Sequence, residues 1–360
     1  MRHFAPSLAI MYVLAAVVAP PAQAQANAKA DICAADDAAA YSPEQRIAAC
    51  NVLVRTARNA PKERAAALVN RGAAYWYVNK LKRAFADLDR AIALDPQNAR
   101  AYRERANAFR TEHKLDRALA DASEAVRLDP KDVNALNVRG NVFSDKGEYD
   151  RAIQDYDEAI RLDPKFSLAH QDRGATHYFK KDYERAIKDY DEAIKLDPRS
   201  SRAYSNRGAA YKKLGRAAQA LADEDQAIKL DPNDPTYFDN RGLTYAEEGQ
   251  YDRAIMDFNE AIRISPRAKF LTNRGNAYQS KEQYNRAIAD YNRAIKRDPT
   301  NANTWNNRGA AFRNKGDLRR AIADYEQALR LDPKHDTAKE NLEIVRLERA
   351  KADKAGARSR

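Results

Sequence analysis

Cysteine is almost missing from this chain, whose 360 residues contain only Cys33 and Cys50. Neither has a histidine near it in sequence, so neither reads as a catalytic thiol, and zinc-finger spacing is absent. A Walker loop, a dinucleotide fingerprint and a nucleophile elbow are missing as well. Acidic residues are plentiful but fall in periodic columns, so no general acid, base and nucleophile come together. Catalysis is therefore not expected, nor any cofactor. Long apolar runs are as scarce. The single example, Leu8 to Ala19, has 12 residues, too few to cross a bilayer, which takes about 20. Charge of one sign does not dominate either: the formal net charge is +11, with 32% charged and 44% hydrophobic residues. Such a mix suits helices with one apolar and one solvated face. The cationic excess would attract acidic peptides, anionic envelope polymers, lipid headgroups or nucleic acid, and does not choose among them.

What is present begins with an export pattern. Arg2 and His3 precede the apolar run, followed by Pro20, Pro21 and Ala22-Gln23-Ala24, the three parts of a secretory signal peptide. Residues 1–24 are expected to be removed by cleavage after Ala24, with Ala26 ending a second small-residue site. The mature chain, without a transmembrane segment, would then be periplasmic or secreted. In that oxidising setting Cys33 and Cys50 are expected to form a disulfide, the alternative being two buried thiols. Ser42, Pro43 and Gln45 start a helix with a capping box, and it should run over Ile47 to about Arg58. Residues 25–64 would serve as a linker and N-terminal capping helix.

From there the chain repeats itself. Pro96, Pro130, Pro164, Pro198, Pro232, Pro266, Pro299 and Pro333 are spaced by 34 residues, with one interval of 33. The units run 65–98, 99–132, 133–166, 167–200, 201–234, 235–267, 268–301 and 302–335. A fixed period of this kind means a solenoid. Two apolar stripes of helical spacing in each unit, such as Tyr278 in the first half and Ala287, Ile288, Tyr291, Ala294 and Ile295 in the second, mean a helix hairpin. Small residues such as Gly275 and Gly309 let the two helices approach, while Gly147, Gly215, Gly249 and Gly316 stand where the first helix should end. The fifth unit, 201–234, is the weakest, with Ala217 and Glu224 where its neighbours place Tyr183 and Tyr190 or Tyr251 and Phe258. After Pro333, Thr337 and Glu340 should cap a last helix over 336–350, leaving 351–360 as a basic, disordered tail.

The unit resembles the tetratricopeptide repeat. In the last copy Trp305, Gly309, Phe312, Ala321, Tyr325, Ala328 and Pro333 fill the large, small, aromatic, alanine, aromatic, alanine and proline places of that family. The resemblance, which covers residues 65–335, implies an all-α fold: an α-solenoid, a right-handed superhelix of hairpins with N- and C-terminal capping helices. It also implies that the first helices line a concave groove.

Two columns depart from that family's usual pattern. The seventh place, usually leucine, is Arg71, Arg105, Arg139, Arg173, Arg207, Arg241, Arg274 and Arg308. The twenty-third, often apolar, is Asp87, Asp121, Asp155, Asp189, Asp223, Asp257, Asp290 and Asp324. The two columns are expected to pair as a half-buried structural ladder, within hairpins or between them. His170 and His177 sit where another unit has Phe238 and Tyr245, so they are expected to pack and not to bind metal.

The polar residues of the first helix carry the functional expectation. The sixth place holds Asn70, Asn206, Asn240, Asn273 and Asn307, with Asp172 in the fourth unit, and three residues on stand Asn107, Asn141 and Asn276. This asparagine ladder is similar to that of the O-linked N-acetylglucosamine transferase array, where the amides bind peptide backbone. An amide offers two donors and an acceptor to a peptide bond whatever the side chain. No folding duty is expected for Asn273 or Asn276. Arg100, Arg110, Arg202, Lys212, Lys269 and Arg313 lie around the ladder and would favour an acidic partner. The expected function is a non-catalytic scaffold or adaptor that binds an extended peptide or partner protein. Its alternative is an accessory subunit of an envelope polysaccharide or peptidoglycan enzyme or export assembly, holding a glycan. Binding of nucleic acid or another anionic polymer comes third, because the basic residues are mixed with acids.

Overall fold

The computed structural model describes residues 22–35, 40–57 and 60–358, with the side chains of 22–27 and 353–358 left aside. The expected signal segment lies outside these residues as far as position 21. The chain groups into two compact units, Met1–Glu148 and Tyr149–Arg360. The first contains α1 (Ala22–Ala34), α2 (Pro43–Thr56), α3 (Pro61–Tyr77), α4 (Leu81–Leu94), α5 (Ala99–Thr111), α6 (Leu115–Leu128) and α7 (Val133–Asp145). The second contains α8 (Tyr149–Leu162), α9 (Ser167–Phe179), α10 (Tyr183–Leu196), α11 (Ser201–Lys213), α12 (Ala217–Leu230) and α13 (Pro235–Glu247). It continues with α14 (Tyr251–Ile264), α15 (Ala268–Ser280), α16 (Tyr284–Arg297), α17 (Ala302–Asn314), α18 (Leu318–Leu331) and α19 (Asp336–Arg358). No strand occurs among the described residues. Within each unit helices pack in consecutive pairs, an all-α fold of the α-solenoid class.

Local chemistry sets these elements. In α16 the buried residues are Ala287, Asp290, Tyr291, Ala294 and Ile295, the one-faced stripe that makes a lone helix depend on its neighbours. First helices open on side-chain caps: Asn98, Asp132, Ser200, Asp234 and Asn301 each accept a hydrogen bond from a backbone N–H of the first turn. Except for α14, which ends at Ser265-Pro266, the second helices of the repeats end at Asp-Pro, where the aspartate accepts from the N–H two residues on, as Asp298 does from Thr300 at 3.0 Å. The hairpin packs closely at Gly275, where an added Cβ would stand 2.6 Å from the ring of Tyr291. No larger residue fits there without displacing that ring.

The first helices end in a left-handed residue at the same place of every unit. It is Gly147, Gly215, Gly249 and Gly316 in four, and Asn79, His113, Lys181 and Glu282 in the others. These last four hold a backbone conformation that costs a residue with a Cβ about 1 kcal/mol.

The ends differ from the sequence expectation. Residues 25–64 hold a hairpin rather than a linker and one cap: α1 and α2, 13 and 14 residues long, match the two helices of a repeat, and α2 packs on α3. The capping box of Ser42 and Gln45 is present, each side chain bonded to the other's backbone N–H. Cys33 and Cys50 are joined as a disulfide across this hairpin. At the other end α19 begins at Asp336, and the expected pair Thr337 and Glu340 does not cap it. His335 Nδ1 accepts from Ala338 N–H at 3.3 Å instead, because it stands three residues ahead, where a cap must be. The expected disordered tail continues α19 to Arg358, a stretch dominated by alanine, lysine and arginine, which favour helix.

Candidate functional site

The arginine and aspartate columns face one another across the hairpin. Arg71 and Asp87, Arg105 and Asp121, Arg173 and Asp189, Arg207 and Asp223, Arg241 and Asp257, Arg274 and Asp290, and Arg308 and Asp324 form ion pairs at 2.6–2.7 Å. In Arg207 the Nε donates to one carboxylate oxygen of Asp223 at 2.8 Å and Nη2 to the other at 2.7 Å. Its remaining Nη1 donates to Asp191 of the preceding hairpin at 2.6 Å. The ladder therefore links helices within a hairpin and hairpins to each other. Bonding to Asp223 and Asp191 raises the pKa of Arg207 further above its ordinary value against the opposing effect of burial. Several rungs carry an aromatic ring between two guanidinium groups: Arg274 and Arg286 lie 5.9 and 5.6 Å from the Tyr278 centroid, and Arg308 and Arg320 lie 5.8 and 4.4 Å from that of Phe312. At the N-terminus Arg71 makes the same reach, its Nη1 donating to Asn51 on α2 at 2.8 Å. That contact places α1 and α2 in the ladder as a ninth, divergent hairpin, with the disulfide in addition.

On the first-helix face the asparagines differ among themselves. The Nδ2 of Asn240 donates to Ser205 Oγ at 3.0 Å, that of Asn273 to Asp239 Oδ1 at 2.7 Å, and that of Asn307 to Asn276 Oδ1 at 3.0 Å. Asn276 also accepts from the hydroxyl of Tyr291 at 2.8 Å. The expectation that Asn273 and Asn276 have no folding duty is corrected: neighbouring first helices lie within amide reach, and the ladder ties them together. Asn341 on α19 continues it, donating to Asn306 at 3.0 Å. It stands 34 residues after Asn307, a signal the sequence held but which was hidden by Leu342 where an arginine would follow. Asn70 is buried, with its Nδ2 4.0 Å from Cys33 Sγ, and so is covered by α1. Asn141 makes an interaction of its own. Asn107 and Asn206 are half-buried, and their amides are left unengaged by any described side chain.

The cations expected to meet an acidic partner on this face are already neutralised. Arg110 pairs with Asp145 at 2.8 Å, Arg202 with Asp172 at 3.2 Å, Lys212 approaches Glu247 at 3.8 Å and Lys269 approaches Asp239 at 2.9 Å. Arg313 donates from Nε to Glu348 of α19 at 3.0 Å. Lys212 and Arg313, expected from sequence to line the groove, thus have carboxylates beside them. Each lies one helix away from a carboxylate that sequence alone did not bring near it. His170 and His177 are both buried, as packing requires. Burial outweighs the pull of Asp189 and lowers the pKa of His177. Among the described residues no group of three or more His, Cys, Asp or Glu could hold a metal ion.

Two cavities open on the first-helix face of the second unit. One, of about 150 Å³, lies between α9 and α11 and is lined by Ala175, Tyr178, Phe179, Tyr190, Asn206 and Ala209. The Phe179 ring, 59% exposed, forms its rim and stacks with Tyr149, the centroids 6.3 Å apart. The other, of about 250 Å³, lies between α13 and α15 above Phe258, with Asn273 and Asn276 in its wall. Each joins an aromatic floor to ladder amides. At the position between them the aromatic floor is replaced by Glu224. Its side chain is 0% exposed, Oε1 accepts from Thr244 Oγ1 at 3.0 Å, and Oε2 has no partner. Desolvation pushes this carboxyl up to about 7, against the stabilising pull of Thr244, Lys212 and Arg241.

Comparison with known proteins fits this architecture. Models of the tetratricopeptide repeat match residues 69–132, 133–166, 201–234, 236–267 and 302–335, and a TPR-repeat model matches 174–215 and 275–316. No curated protein matched. Among solved structures the chain is similar to one in the APC/C hetero-tetramer Cut9-Hcn1, with a TM-score of 0.62, 17% identity, and coverage of 89% of this chain and 66% of that one. It is also similar to a tetratricopeptide repeat protein from Parabacteroides merdae, with a TM-score of 0.55, 21% identity, and coverage of 69% and 99%. At these identities the likeness is one of fold. With repeat models covering most of its length and hairpins in the matching register, the chain belongs to the tetratricopeptide repeat family.

Proposed function

We propose that this protein is a non-catalytic interaction scaffold whose first-helix face binds an extended peptide segment of a partner protein. The observation that carries the reading is the cavity between α9 and α11. It joins an exposed aromatic rim, Phe179, to an unengaged amide, Asn206. A peptide offers just those two features, an apolar side chain for the cavity and a backbone amide for Asn206. The paired cations of this face favour a partner chosen by shape and backbone over one chosen by negative charge. The disulfide and the N-terminal export pattern support a place in the periplasm or outside the cell.

Selection of displayed random peptides on the full chain tests the proposal. Peptides should be recovered, and the double variant Asn206→Ala with Phe179→Ala should weaken them by about tenfold, equivalent to 1.4 kcal/mol, while the thermal midpoint holds. Binding left unchanged by this variant would refute the site. A glycan array run in parallel examines the sugar-holding alternative, and recovery of glycans in place of peptides would favour it.

A further inference from the structure

The second helices of the repeats provide an internal comparison, and α16 departs from its siblings in one direction. In α6, α8, α10 and α14 the basic residue near the helix end pairs with a glutamate three residues before it: Arg127 with Glu124, Arg161 with Glu158, Lys195 with Glu192 and Arg263 with Glu260. In α16 that glutamate is Arg293, so Lys296 loses its partner. Asn285 and Asn292 replace Glu184 and Asp191 of α10, and Arg297 replaces Leu196. Each of the four changes removes an acid or adds a base. The result is four cations in α16 against one anion, Asp290, which is buried and held by Arg274.

Arg286, Arg293, Lys296 and Arg297 are all exposed. Arg293 makes only a 3.4 Å approach to the already engaged Asp290, Arg286 donates to Gln283, and Arg297 donates to a backbone carbonyl. The following second helix, α18, adds exposed Arg319 and Arg330, the latter donating to Gln327 where the siblings have glutamate. Arg286, Arg293 and Arg297 recur at intervals of seven and four residues, so they share one face and span about 16 Å.

We propose that this face of α16, extended by α18, docks an acidic protein segment. The surface is distinct from the first-helix face, where the cations are already paired. Guanidinium groups dominate it, and they recognise carboxylates through two parallel hydrogen bonds. The largest exposed apolar side chains among the described residues are Tyr77, Leu168, Phe179, Met256 and Leu347. None lies on α16 or α18, so the face has no large exposed apolar side chain to insert into a bilayer. A stripe of about 16 Å matches about five residues of extended chain.

The test converts α16 to its sibling pattern with Asn285→Asp, Asn292→Asp, Arg293→Glu and Arg297→Leu. A second variant, Arg286→Gln with Arg293→Gln and Arg297→Gln, removes the exposed stripe itself and adds no acid. Binding of a labelled poly-glutamate peptide to the full chain is read by fluorescence anisotropy at about physiological salt, where remote surface charges are screened. Wild type should bind, both variants should lose about tenfold or more, and thermal midpoints should not fall. The Asn206→Ala, Phe179→Ala variant should bind like wild type. Equal binding by wild type and both variants overturns the proposal, as does loss in the Asn206→Ala, Phe179→Ala variant alone. Tighter binding of phosphatidylserine vesicles or duplex DNA than of the peptide also overturns it, pointing to a membrane or a nucleic acid.

Discussion

Arg274 holds Asp290 through two parallel hydrogen bonds, Nε donating to one carboxylate oxygen at 2.7 Å and Nη2 to the other at 2.6 Å. The aspartate side chain is 5% exposed, so its charge is tolerable only while the guanidinium is present. Asp290→Ala should strand the arginine and cost about 3 kcal/mol, because a half-buried charge loses its counter-ion without regaining water. Replacing both residues with apolar side chains of similar size, Arg274→Met with Asp290→Leu, should come out near neutral or better. Urea unfolding of the three proteins decides it. A single variant as stable as wild type would remove the ladder from the account of folding.

Glu224 makes stability depend on pH. Its carboxyl, about 7 in the fold against an ordinary 4.5, keeps its proton in the folded chain to higher pH than in the unfolded one. The folded state thus binds more protons between these values, and stability falls as pH rises through that window. The full penalty, about 3 kcal/mol above pH 7, follows from the size of the shift. Glu224→Gln should remove most of that slope, and its advantage over wild type should grow from pH 5 to pH 8. Hydrogen exchange in 201–234 should be faster than in 167–200 at pH 8 and should slow in the variant. Parallel pH profiles for the two proteins would show that the carboxyl is not desolvated as described.

The turn between the two helices of a hairpin yields a prediction of opposite sign at equivalent positions. Lys181 has a φ of 64° and Gly249 a φ of 72° in the same place of their units. Lys181→Gly should stabilise the protein by about 1 kcal/mol, since glycine enters the left-handed region without the Cβ penalty. Gly249→Ala should destabilise it by a like amount, although no atom lies within 4 Å of the added Cβ. Denaturant midpoints moving the same way in both variants would contradict the backbone argument.

The hairpins were legible from Pro96 to Pro333 because the interval between equivalent residues repeats and each column has one physical duty. The Arg and Asp columns could be matched for the same reason. Their second connection, Arg207 to Asp191, could not, because it depends on how far one hairpin is rotated on the next. The tie from Asn273 to Asp239 was hidden likewise: adjacent first helices meet through residues 34 apart, and nothing in sequence fixes that distance. The N-terminal hairpin escaped notice because Asn51 stands 38 residues before Asp89 rather than 34. The four extra residues lie in α3, which is 17 residues long against 13 in α5, and this added turn shifts the register of the one rung that would have revealed it.

That hairpin is also where the array depends on a covalent link. α1 and α2 lack the Arg and Asp pair of the other hairpins, and the disulfide between Cys33 and Cys50 joins them instead. The bond closes a loop of 17 residues, for which the loss of unfolded-state entropy is worth about 3 kcal/mol. Cys33→Ser with Cys50→Ser should therefore loosen α1, uncover Asn70, and speed hydrogen exchange in α2 and α3. Exchange in α16 and α18 should stay unchanged, because each hairpin of a repeat array is stabilised mainly by its neighbours. The measurement is exchange resolved by peptide in the variant and in the oxidised wild type. Uniform acceleration along the chain would mean that the array unfolds as one cooperative body. No acceleration in α2 and α3 would mean that packing on Leu68 and Val69, not the disulfide, holds the N-terminal hairpin in place.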